Sequence, residues 1–356
     1  MARIPEDIFY LEILPRLPHD SLFRFKFVCK SWLHFITQDL SFARQHLSCN
    51  GSPGFIYVQF RRTIEFRPIN IFGKLNICKP VSFSISNGLQ NASIITSANG
   101  LILFKLHGGS PHENIYYVWN LMTNKVQGIP SSFRQHREHV LVGLAFEPSA
   151  TPISYKVVEI IEERQEEFYK YKFKIYSSDI GMWVMSNQKL IMQRIDYFSN
   201  IRNVLYKGGV IYWNFFPYIL WFDLVKNISN YILTPVIENL RNHLIGMTDD
   251  GFLTLVQLGK HYHLVWTMNN DGEWVNRYVT YKNNIIDEYN CWHLPYVGGD
   301  RLYIVSKAMG CKNILYYQDM TTGELMMDGE IKDCDMPPVY TFLDYNILTR
   351  IGSLEG

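Results

Sequence analysis

Hydrophobic positions change their period once along this chain. Up to about residue 47 they recur at helical spacing, and after residue 55 they alternate or run in short blocks bounded by Gly, Asn and Asp. The opening Ile4-Pro5-Glu6-Asp7-Ile8 places a proline where a first turn tolerates it and acidic residues beside the positive end of a helix dipole, so a helix is predicted to start here. Ile8, Leu11 and Leu14, with Phe9 and Ile13 alongside, continue it, and Pro15 and Pro18 predict its end near Leu14. Asp20 is a candidate N-cap for the next helix. Val28, Trp32 and Phe35 or Ile36 share one face, with Lys26 and Lys30 on another, which predicts two short helices or one kinked helix. Asp39 is placed to cap a last short helix containing Phe42 and Leu47, and Ser48 to Gly54 reads as a linker, so the module ends near residue 50. A unit this small cannot bury so many large apolar side chains alone; the body or a partner must cover them.

Two kinds of segment alternate through the rest of the chain. One leaves a turn and enters a short apolar strand: Asn99-Gly100-Leu101, Gly143-Leu144-Ala145-Phe146, Gly208-Gly209-Val210, Gly251-Phe252-Leu253 and Asp300-Arg301-Leu302. The other is a strand that runs into a polar turn and a further strand, as at Leu220-Trp221-Phe222-Asp223 before Lys226-Asn227, or Tyr316-Tyr317-Gln318-Asp319 before Thr322-Gly323. Anchors of the second kind, Val118, Ile175, Trp221, Val265 and Tyr316, fall near the roughly 40–50-residue spacing of a four-stranded propeller blade. With Phe55-Ile56-Tyr57-Val58 added, about six blades are expected, and a C-terminal strand such as Val339-Tyr340-Thr341-Phe342 is placed to close the ring with the first blade. A large irregular β-sandwich is the competing architecture. Tyr169, Tyr171 and Phe173 alternate with Lys170, Lys172 and Lys174, which predicts a strand with one solvated face.

Composition fits this division. Of 356 residues 47% are hydrophobic and 19% charged, enough apolar material for a large core, and the 15% aromatic content leans towards β structure. A net charge of +1 leaves no broad basic field, so nucleic-acid binding is not expected. Charged residues from Arg3 to Arg16 interrupt any signal-peptide run, and the uncharged stretch Gly208 to Phe222 falls short of the ~20 residues of a membrane span. Six scattered cysteines without a C-x-x-C pair fit reduced thiols in the cytoplasm or nucleus.

Catalytic and metal-binding patterns are weak. His261 and His263 would share a strand face but have no third ligand near them in sequence, and His136-Arg137-Glu138-His139 lacks zinc-protease spacing. No nucleophile elbow, P-loop or dinucleotide fingerprint is present, and no cofactor is expected. Asn91-Ala92-Ser93 and Asn227-Ile228-Ser229 match the glycosylation pattern only formally.

The stretches Ile4-Pro5-Glu6-Asp7-Ile8, Glu12-Ile13-Leu14-Pro15-Arg16-Leu17-Pro18, Ser21-Leu22-Phe23-Arg24-Phe25 and Val28-Cys29-Lys30-Ser31-Trp32 resemble the F-box of plant F-box proteins, over residues 4 to 47. The resemblance implies binding to a Skp-type adaptor, and through it a cullin, by Pro5, Ile8, Leu11, Ile13, Leu14, Leu17, Pro18, Val28, Cys29 and Trp32. Asn99-Gly100-Leu101, Trp119-Asn120-Leu121-Met122-Thr123-Asn124, Tyr155-Lys156-Val157-Val158, Ile175-Tyr176-Ser177-Ser178 with Trp183, Lys207 to Trp213 and Phe222-Asp223-Leu224 are similar to the F-box-associated domain of the same family.

The fold expectation is thus an α+β multidomain chain, with a small N-terminal helical F-box at 1–50 and an all-β, propeller-like domain of about six blades at 51–356. The functional expectation is a non-catalytic substrate receptor of an SCF-type ubiquitin ligase, with a target protein held by the β domain, no nucleic acid and no membrane. The sequence assigns no target-binding residue. The alternative is a propeller enzyme, which would need acidic residues converging at the axis, or a ligand-binding module whose F-box serves assembly only.

Overall fold

The computed structural model describes residues 5–17, 19–39, 41–42, 45–46, 52–59, 63–68, 81–84, 92–106, 113–120, 125–133, 140–147, 154–193, 203–215, 217–235, 242–248, 251–258, 262–281, 291–298, 301–307, 312–319, 322–332 and 339–343. Pro18, residues 47–51, His136, His139 and His261 lie outside them.

Among the described residues helical structure is confined to the N-terminal segment. An α-turn, α1 (Glu6–Ile8), runs into a π-helical stretch at Phe9–Ile13 and a 3-10 turn at Leu14–Arg16. Proline explains the irregularity, because Pro15 has no N–H for the carbonyl of Leu11, which accepts a hydrogen bond from Gln45 Nε2 instead. Two short α-helices follow, α2 (His19–Phe25) and α3 (Lys30–Gln38). α2 begins one residue before the expected cap Asp20, whereas Asp39 caps as expected: its Oδ1 accepts the backbone N–H of Phe42 at 2.9 Å.

The body consists of six four-stranded antiparallel sheets. β1 (Ser52–Gln59), β2 (Thr63–Pro68) and β3 (Val81–Ser84) belong to blade 1. Blade 2 holds β4 (Ala92–Ala98), β5 (Leu101–Leu106), β6 (Glu113–Asn120) and β7 (Lys125–Phe133). Blade 3 holds β8 (Val140–Phe146), β9 (Tyr155–Arg164), β10 (Phe168–Ser177) and β11 (Met182–Gln193). Blade 4 is β12 (Val204–Lys207), β13 (Val210–Phe215), β14 (Tyr218–Asp223) and β15 (Ile228–Leu233). Blade 5 is β16 (Asn242–Met247), β17 (Leu253–Leu258), β18 (Tyr262–Met268) and β19 (Trp274–Tyr281), and blade 6 is β20 (Cys291–Gly298), β21 (Arg301–Lys307), β22 (Lys312–Asp319) and β23 (Leu325–Lys332).

The first strands of successive blades touch around a closed circle, β4 to β8, β12, β16 and β20, and from there to β24 (Val339–Leu343) and back to β4. β24 is the innermost strand of blade 1 and pairs antiparallel with β1, Phe55 opposite Tyr340. The ring is therefore closed by strands from opposite ends of the body, which hides the edges an open sheet would expose.

Local sequence explains the turns. Asn99 and Gly100 between β4 and β5, and Gly208 and Gly209 between β12 and β13, all have positive φ, the backbone that a two-residue hairpin needs. Between third and fourth strands the work is done by a polar side chain at the end of the third. Asp223 Oδ1 accepts the N–H groups of Val225 and Lys226, both at 2.9 Å, Asn269 Oδ1 accepts those of Asp271 and Glu273, and Asp319 Oδ1 that of Thr322. Those backbone bonds, led by that of Lys226, hold the Asp223 carboxyl below its ordinary range.

Gly143 departs from the sequence expectation. It lies inside β8 rather than at a turn, and a Cβ there would sit 2.7 Å from Ile211 Cγ2 and 2.9 Å from Trp213 Cζ2. The glycine serves close approach of blades 3 and 4, a use that a single sequence does not separate from a turn.

Interfaces between blades are apolar, with polar ties at particular points. Leu101, Phe104, Trp119, Leu144, Phe146 and Val157 bury one seam, and Tyr171, Phe173, Ile211, Trp213, Leu220 and Phe222 the next. Asn203 reaches from the start of blade 4 to β16, donating from Nδ2 to Ile245 O at 2.6 Å and accepting Ile245 N–H at 3.1 Å. A single side chain thus pairs with a strand as a neighbouring backbone would. Between blades 2 and 3, Glu159 is 1% exposed and accepts hydrogen bonds from Tyr116 OH at 2.9 Å and from Ser132 Oγ, which in turn accepts one from Lys174 Nζ. Burial, with Tyr176 adding to it, pushes the Tyr155 phenol up, so it stays protonated and donates to Gln127 Oε1.

Candidate docking surface

The helical segment has a core of its own. Leu14, Leu22, Ile36 and Phe42 are buried together, with Phe9, Tyr10, Leu17, Phe25, Trp32 and Phe35 packed round them. Trp32 stacks on Phe9 with centroids 4.7 Å apart and meets Phe25 edge-on at 5.3 Å. His46 is buried, its Nε2 3.2 Å from Leu17 O, which joins the last turn to the first.

What this core leaves outside is apolar. Phe27 is 77% exposed, Val28 59% and Leu11 54%, and Ile8 and Leu33 are also exposed. Isolated exposed hydrophobics are ordinary, but five large ones on a segment this short are a surface that water does not suit. Pro5 and the thiol of Cys29 are exposed with them.

The ten residues singled out from sequence fall into groups. Pro5, Ile8, Leu11, Val28 and Cys29 lie on the surface, Ile13, Leu17 and Trp32 are half-buried, Leu14 is fully buried, and Pro18 is outside the described residues. Phe27 and Leu33 were missed. Phe27 sits in the turn between α2 and α3, where helical spacing gives no warning, and Leu33 lies one turn before the buried Ile36 yet is itself exposed. A shallow depression on the helical segment is lined by Tyr10, Lys30, Ser31, His34, Phe35 and Asp39.

At the propeller axis the chemistry is bland. None of the six innermost strands, β4, β8, β12, β16, β20 and β24, carries an Asp or Glu. Among the described residues no group of three or more His, Cys, Asp or Glu could hold a metal, and no helix is long and apolar enough to cross a membrane. The two ends of the ring differ. β1 is the second strand of its blade, so Ser52, where the helical segment joins, lies at the end carrying the turns between first and second and between third and fourth strands; the turns between second and third strands, and the strand ends that lead from one blade to the next, lie at the other.

A ring of six four-stranded antiparallel blades preceded by a small helical unit defines a β-propeller protein. Residues 77–277 match the family described as F-box protein At3g26010-like, beta-propeller, and the chain belongs to that family. Among its relatives in Arabidopsis thaliana, F-box protein At5g49610 is 24% identical over 287 residues, 75% of this chain and 76% of that one. F-box protein At5g07610 is 30% identical over 186 residues, 49% of this chain and 43% of that one, and F-box/kelch-repeat protein At3g23880 is 26% identical over 183 residues, 48% of each. The match thus spans three quarters of the first relative and less than half of the other two.

Proposed function

We propose that this chain is the substrate-receptor subunit of an SCF-type ubiquitin ligase, in which the helical segment docks a Skp-type adaptor, and through it a cullin, and the propeller holds a target protein. The observation that carries the reading is the apolar surface of Ile8, Leu11, Phe27, Val28 and Leu33 on a unit that already has a closed core. That surface needs a partner of complementary apolar shape. Pro5, Ile8, Leu11, Val28 and Cys29 meet the adaptor directly, and Leu14, Leu17 and Trp32 hold them in place; Ile13 and Pro18 complete the docking set. The order of motifs through the body supports reading the propeller as the F-box-associated domain of this family.

The receptor contributes proximity rather than bond chemistry, by bringing a target to the conjugating enzyme. The blade-to-blade end is turned away from the point where the helical segment joins, which leaves it for a target. Work in the cytoplasm or nucleus follows from this role.

The test is co-purification of the full chain with a Skp-type adaptor. Ile8→Asp combined with Val28→Asp is expected to abolish capture while leaving the thermal melt of the propeller unchanged; full capture by this variant would overturn the reading.

A further inference from the structure

We infer that the free edge of β11, near its C-terminal end, receives an extended segment of the target protein carrying an acidic residue two positions from an apolar one. This rests on the reading of the propeller as the target-holding half and names the chemistry of what it holds.

β11 ends its sheet, so one side of its backbone is offered to solvent, and at 12 residues it is a long edge. Proteins blunt such edges by shortening, bulging or charging them. Here a bulge opposite Lys172 and Lys174 interrupts the strand, with Ser186 Oγ donating to Asn227 Oδ1 of the next blade, and Lys189 to Gln193 resumes regular pairing beyond it.

In that resumed stretch the two faces differ completely. Tyr169, Tyr171, Leu190 and Met192 pack against blade 4. On the opposite face Lys172 lies directly across from Lys189, Lys170 from Ile191, and Phe168 from Gln193. Ile191 is 61% exposed and Phe168 is exposed with it.

Two lysines opposite one another on an exposed face repel, so an anionic side chain laid between them relieves that repulsion. Among the described residues Glu163 is hydrogen-bonded to Lys172 and lies 3.5 Å from Lys170, which holds its carboxyl below the ordinary range, while Lys189 has no ion pair; Glu166 and Glu167 are exposed in the turn before Phe168. The charge is therefore positive locally, where Lys189 lies across from Lys172, with the exposed Ile191 two residues further along the strand and the acidic turn beyond Phe168. A strand added to β11 would set alternate side chains over this face, one near Lys172 and Lys189, the next but one near Ile191 and Phe168. The site is at the blade-to-blade end of the ring, where β10 begins and β11 finishes.

The probe is a fluorescein-labelled decapeptide of alternating glutamate and valine, with a lysine–valine decapeptide as its counterpart, titrated by fluorescence anisotropy into the purified full chain. The acidic peptide is expected to bind the unaltered protein and to bind Lys189→Glu about tenfold more weakly, and the lysine peptide to reverse that preference. Equal binding of the acidic peptide to both proteins, or of both peptides to each, would overturn the inference. So would a concentration-dependent dimer abolished by Lys189→Glu in sedimentation, which would make a second copy the occupant. Adaptor capture is measured on the same samples: its loss in the unaltered protein counts against the receptor reading, whereas its retention without peptide binding counts against this edge alone.

Discussion

The indole Nε1 of Trp183 donates to the carbonyl of Pro130 at 2.8 Å, tying the outermost strand of blade 3 to the outermost strand of blade 2. Trp274 repeats the contact two blades on, donating to Leu233 O at 2.9 Å across the seam between blades 5 and 4. Both tryptophans stand two residues after a positive-φ glycine, in Gly181-Met182-Trp183 and Gly272-Glu273-Trp274. The turn that starts the outer strand thus also aims a donor at the neighbouring blade.

Trp183→Phe removes the donor but keeps a ring beside Tyr116, Tyr176 and Lys174. A loss of about 1 kcal/mol is expected in urea unfolding, the net value of one such hydrogen bond. Trp183→Ala should cost clearly more, because packing goes with it.

Gly143→Ala forces a methyl to within 3 Å of Ile211 and Trp213. Overpacking of this kind costs about 1–3 kcal/mol. Ile211→Val in the same chain removes a methyl group near the clash and should recover part of the loss, read as a non-additive double-variant cycle in denaturant.

Asp223 makes stability depend on acid. Its carboxyl is held below its ordinary range in the folded protein, so the unfolded chain takes up the proton more readily. The contribution is whole above the unfolded value, about pH 4, and is lost as pH falls through the lowered folded value. Urea midpoints of the unaltered protein and Asp223→Asn should differ at pH 7 and converge as the carboxyl is protonated.

Two substitutions in the helical segment should separate surface from core. Leu14→Ala opens a cavity under Phe9 and Trp32 and should cost about 2–5 kcal/mol, melting the segment and losing adaptor with it. Leu11→Asp should lose adaptor while the helical circular dichroism stays, since the side chain points to water in the free protein.

Much of the propeller was legible because blades repeat. Glycine and Asn-Gly turns, acidic turn residues and the final strand 339–342 are local signals, and their recurrence gave the number of blades and the closing partner of β1. The alternation over residues 169–174 likewise separated the packed aromatic face from the lysine face. Contacts between blades were not legible. Alternation tells which residues share a face but not which blade lies opposite, so Gly143 read as a turn, and the tie made by Asn203 left no mark in its own segment. On the docking surface, Phe27 and Leu33 were passed over because a helical period finds the residues a core needs, while an exposed hydrophobic is recognised only once the core is seen to be complete without it.

The pairing of β24 with β1 sets a schedule for synthesis. β1 leaves the ribosome early, yet its inner edge has no partner until Val339–Leu343 emerges almost three hundred residues later. During that interval the nascent chain presents an open strand edge, the kind of surface that recruits chaperones or aggregates. A translation product that stops short of Val339 would keep the helices proposed to dock the adaptor but not a closed ring. Such a fragment would compete for adaptor without a finished target surface, a dominant-negative form produced simply by ending early.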